Sequence, residues 1–72
     1  MDELTRRVLH LFSQMNSETL DLHTLFEAGG NDPQAREQVF DIVSRLVSEG
    51  LLEERGSDFY ALTERGRAAT LR

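Results

Sequence analysis

The chain has 72 residues, 39% of them hydrophobic, and a formal net charge of −5 from 8 cationic and 13 acidic residues. That length builds one domain around a single core, and the evenly spread leucines with four phenylalanines exclude a disordered chain. There is no cysteine for a disulfide or a thiolate metal site, no apolar run approaches the ~20 residues of a membrane span, and "MDELTRRVLHLF" is not a signal peptide, so a soluble, cytoplasmic protein is expected.

Leu4, Val8, Leu11, Phe12 and Met15 share one face at helical spacing, which predicts a first helix with Asp2 and Glu3 at its positive end. Asn16 and Ser17 break it, and "ETLD" supplies a short extended link. Leu22, Leu25 and Phe26 then predict a short helix over 22–28, with Asp21 as its N-cap. Gly29 and Gly30 suit a left-handed stop. Asn31 or Asp32 can cap the next helix, whose first position takes Pro33 because the missing N–H costs nothing there.

This third helix is expected over 33–49, ending at Gly50. Its core face is Ala35, Val39, Ile42, Val43 and Leu46, with Phe40 and Val47 on one flank. The opposite side carries Gln34, Glu37, Gln38, Asp41, Ser44, Arg45 and Ser48. Beyond Gly50 the period changes to two, Leu52 with Glu54 and Tyr60 with Leu62, around the turn chemistry of "RGSD". A two-stranded hairpin follows, with Phe59 turned outward toward Glu53 or the Phe40 and Val47 flank. Thr63 caps a short final helix, "ERGRAATL", in which Gly66 costs about 1 kcal/mol against Ala.

The segment "VSRLVSEGLLEERGSDFYALTERGR", residues 43–67, resembles the helix-to-wing region of small bacterial winged helix-turn-helix regulators, the MarR-like and PadR-like group. Leu46, Gly50, Leu51, Leu52, Tyr60, Leu62, Thr63 and Gly66 carry the match, over about a third of the chain. The resemblance implies an α+β winged helix-turn-helix with a three-helix core, a two-stranded β-hairpin wing over 51–62 and a short C-terminal helix. It further implies that the third helix enters a major groove while the tip at 55–58 lies along phosphates.

On that reading Gln34, Gln38 and Arg45 face base edges of double-stranded DNA and Arg55 meets the backbone, with Arg65, Arg67 and Arg72 adding charge. The local charges oppose it. Arg45 stands against Glu37 and Asp41, and Arg55 against Glu53, Glu54 and Asp58, where phosphate neutralisation needs cations. The other reading is therefore an acidic protein-interaction module that keeps the fold without binding DNA and engages a protein partner through Phe40, Val47 and Phe59. The resemblance also implies a homodimer for the DNA-binding reading, with Leu9, Ala68, Ala69 and Leu71 as a candidate seam, although a single stray Leu such as Leu9 is more often plain exposed surface. No enzyme activity, cofactor or small-molecule substrate is expected. His23 and Glu27 are spaced i, i+4 without a third metal ligand in view, and "AGGND" lacks the strand and lysine of a phosphate loop.

Overall fold

The computed structural model describes residues 2–30 and 32–70. Among them run, in order, α1 (Glu3–Gln14), β1 (Thr19–Asp21), α2 (Leu22–Leu25) continuing as a 3₁₀ turn (Phe26–Gly29), α3 (Pro33–Ser48), β2 (Leu52–Arg55), β3 (Phe59–Leu62) and α4 (Glu64–Thr70). Four α-helices pack with a three-stranded antiparallel sheet in the order β1-β3-β2. The architecture is α+β.

The sheet corrects the expected two-stranded hairpin. Thr19–Asp21, expected as a mere link, pairs with the free edge of β3, Thr19 opposite Ala61 and Asp21 opposite Phe59. Three residues are too few to announce a strand by alternation, and the pairing joins segments some forty positions apart. β3 is thereby central, with β2 on its other side in the register Leu52 to Leu62 and Arg55 to Phe59. Gly56 and Asp58 both take positive φ in the turn between them, a conformation that Gly adopts freely and Asp tolerates.

Local chemistry sets the helix ends. Asp2 caps α1 by accepting from the Thr5 amide at 2.8 Å, and Asp32 caps α3 by accepting from the Gln34 amide at 3.1 Å. Gly30 (φ 71°) and Gly50 (φ 82°) make the left-handed stops expected of them. Asp21 stands at the N-cap of α2, yet its carboxylate accepts from the Thr24 hydroxyl rather than from a backbone amide. The alternative cap, Asn31, lies outside the described residues.

Val8, Leu9, Phe12, Leu25, Val39, Val43, Leu46 and Leu52 form the centre of the core. Leu9, read as a stray or a dimer seam, is 1% exposed, while Met15 of the expected apolar stripe is 51% exposed. α1 packs against α3, the 3₁₀ turn and α4. On its wheel Val8, Phe12, Thr5 and Leu9 then span an arc of about 100°, so the buried face is rotated from the one read off Leu4 and Met15. Leu71, the last member of the proposed seam, lies outside the described residues.

Gly66 is where the final helix meets the rest. A β-carbon there would stand 2.1 Å from the Leu51 carbonyl oxygen and 2.7 Å from Leu62 Cδ1. α4 approaches the backbone this closely because Thr63 ties it down. The Thr63 hydroxyl donates to the Gly50 carbonyl (2.7 Å), with the Leu51 carbonyl at 3.0 Å, and accepts from the Gly66 amide (3.0 Å). The residue that costs helix propensity is the one that permits this packing.

Candidate functional site

α3 presents the polar face expected of it. Gln34, Glu37, Gln38, Asp41, Ser44, Arg45 and Ser48 are all exposed, while Val39, Ile42, Val43 and Leu46 are buried beneath them. The helix start, whose amide groups attract anions, is occupied by the Asp32 carboxylate. Gln34 and Gln38 therefore project beside a negative cap, with Glu37 and Asp41 on the same face.

Arg45 does not stand alone on that face. Its Nη2 donates to Thr5 Oγ1 of α1 at 2.9 Å and lies 3.9 Å from the Asp2 carboxylate. Thr5 is buried at 2% exposure, so its hydroxyl offers a fixed acceptor. The Thr5 amide and hydroxyl and the Arg45 guanidinium hold the Asp2 carboxyl below the usual carboxylate range, the amide hydrogen bond being the largest cause. α1 and α3 are thus joined at a corner of the exposed face.

The β2–β3 hairpin is arranged in the same way. Arg55 Nε donates to Glu53 Oε1 at 3.2 Å on the same strand. Arg67 of α4 meets Glu18 at 3.4 Å, and Arg7 meets Glu3 at 3.0 Å. Arg36 stacks over the Phe26 ring, 5.5 Å from its centroid, and the Arg65 guanidinium lies beside Gly50. Arg72 lies outside the described residues.

Each of these exposed ion pairs is worth less than about 1 kcal/mol, so a phosphate can compete for the arginine. The carboxylate nevertheless remains a few ångströms away and repels the phosphate. The net attraction at each point is therefore small.

The apolar candidates differ in exposure. Phe40 and Phe59 are 48% and 49% exposed, whereas Val47 is half-buried at the edge of the core. Leu20, Leu52 and Tyr60 occupy the inner face of the sheet, and alternation sends Phe59 to the outer one. There its neighbours across the strands are Asp21 and Arg55, and Glu53 stands one pair further along, opposite Ala61. Inside, burial raises the Tyr60 phenol above its ordinary value, with the Glu54 and Asp58 carboxylates adding to the shift.

An open groove of about 590 Å³ runs between α1 and the 3₁₀ turn, lined by Glu3, Arg6, Arg7, His10, Glu27 and neighbouring residues. It brings His10 to the Glu27 side, a proximity that helix spacing within either segment cannot show. His23 instead turns to Phe26, edge to face at 6.4 Å. Among the described residues no three His, Asp or Glu side chains gather as a metal site, and no helix is long and apolar enough to cross a membrane.

Comparison with known proteins leaves the assignment to these residues, since no family model, curated protein or solved structure matches the chain.

Proposed function

We propose that the chain is a winged-helix module of the transcription-regulator type whose contact with double-stranded DNA is weak or partner-assisted. Support for the winged-helix assignment comes from the order of α1, β1, α2, α3 and the β2–β3 hairpin, with α3 exposing one polar face. Its weak DNA contact is supported by a single observation: Arg45 on the exposed polar face of α3 and Arg55 of the β2–β3 hairpin already face Asp2 and Glu53. Gln34 and Gln38 are left to touch bases without a phosphate clamp around them.

A second reading, a protein-interaction module that binds no DNA, is favoured by Phe40 and Phe59, two half-exposed rings on an acidic chain. Phe59 stands near Glu53 and Asp21, so this surface suits a partner that brings cations together with apolar side chains. Catalysis has no part in either reading.

Titration of a fluorescent random duplex at ~50 mM salt separates the two, because phosphate attraction is strong there. The regulator reading expects a weak complex that strengthens several-fold in Glu53→Gln, which releases Arg55 and removes a repelling charge. Absence of any complex at that salt, for both the native chain and the variant, rejects the DNA reading.

A further inference from the structure

The outer face of the sheet has a charge pattern that fits a copy of itself. Asp21, Phe59 and Arg55 form one row across β1, β3 and β2, and Thr19, Ala61 and Glu53 form the next. Side chains of one row point to the same side of a sheet, here away from the core that holds Leu20 and Tyr60. Phe59 is therefore an exposed ring on the central strand, with a negative residue on one side and a positive one on the other.

We propose that this face is a self-association surface, on which a second copy of the chain docks about a two-fold axis lying along β3. Such an axis exchanges the two edge strands. It sets the partner's Asp21 over Arg55 and the partner's Arg55 over Asp21, while the two Phe59 rings meet at the centre. In the next row Ala61 is already covered within the chain, at 4% exposure, so the contact there is carried by the edge strands, where the Thr19 hydroxyl comes to the partner's Glu53 carboxylate between sheets packed roughly 10 Å apart.

Charge complementarity is what selects a second copy over a heterologous protein. Each charged side chain of the Phe59 row finds an opposite charge, and Arg55 comes to lie between its own Glu53 and the partner's Asp21. The face is small, three strands spaced about 4.8 Å apart, well under the ~800 Å² per partner of a standard interface. The dimer is accordingly weak and concentration-dependent. This site is distinct from the seam expected around Leu9, a residue that is itself buried, and does not depend on whether the chain binds DNA.

Sedimentation across a concentration series up to ~1 mM, the weak end of specific association, tests the proposal. The apparent mass of the native chain should rise toward twice the monomer. Asp21→Arg and Arg55→Asp should each remain monomeric, and mixing these two variants should restore dimers, because every charge in the row then finds its opposite across the interface. Phe59→Ser should also be monomeric, and as a surface change it supplies a test should Asp21→Arg disturb the α2 cap. A native chain that stays monomeric to ~1 mM overturns the proposal and frees the face for another protein. So do folded Arg55→Asp and Phe59→Ser variants that dimerise as well as the native chain.

Discussion

Arg45 of α3 donates a 2.9 Å hydrogen bond to the hydroxyl of Thr5 in α1, a residue forty positions earlier and almost fully buried. The bond fixes an arginine of the exposed face to the helix start that Asp2 caps. Replacing Thr5 by Val keeps the shape and removes the acceptor. Thr5→Val should destabilise the fold by about 1 kcal/mol or less, since the guanidinium remains partly hydrated. Urea unfolding of the pair measures it, and a loss above ~2 kcal/mol would mean that Thr5 holds more than this contact.

Gly66→Ala makes a sharper case, because two physical effects oppose each other. Helix propensity predicts a gain of about 1 kcal/mol, while a methyl group 2.1 Å from the Leu51 carbonyl predicts displacement of α4. Steric cost wins at that distance. Thermal or urea unfolding should show a loss of about 2–3 kcal/mol, in the range of overpacked sites.

Leu9→Ala should cost about 2–4 kcal/mol in the same assay, as core truncations do. As a dimer seam residue it would instead change association and leave the monomer stable. Unfolding and sedimentation measured together separate these outcomes.

Acid stability should carry the signature of Asp2 and Asp21. Both carboxyls are held below their ordinary value of 3.8, Asp2 chiefly by the Thr5 amide and Asp21 chiefly by the Thr24 hydroxyl. A depressed folded-state value means that the stabilisation is fully present above the unfolded value and is lost as pH falls through the lower folded one. Asp2→Asn should therefore flatten the pH dependence of stability below about pH 4 and leave its shape near neutrality unchanged.

These predictions also mark what sequence reading can reach. The α3 face, the stops at Gly30 and Gly50, the Asp32 cap and the outward Phe59 follow from short-range periodicity and from residues whose backbone preferences are strong. β1, the burial of Leu9 and the Arg45–Thr5 bond depend on which segments meet across the fold, and nothing within a few positions encodes that. Gly66 lies between the two. Its place after Thr63 was visible, but the Leu51 carbonyl that makes a side chain intolerable there was not.

The same division applies to the candidate interface. Acids beside Arg45 and Arg55 are plain in the sequence, and Glu53 is the one that Arg55 meets. For Arg45 the neighbours on its own helix suggested Glu37 and Asp41, whereas the side chain turns to Asp2 and Thr5 on α1.

Arg45 and Arg55 should contribute little to phosphate binding, and the salt dependence of duplex affinity measures that contribution. Each phosphate neutralised adds about 0.9 to the magnitude of the negative slope of log affinity against log salt. Paired arginines predict weak binding with a slope of about 2 or less. Tight binding with a slope of ~5 or more would show that the carboxylates do not hold the arginines back.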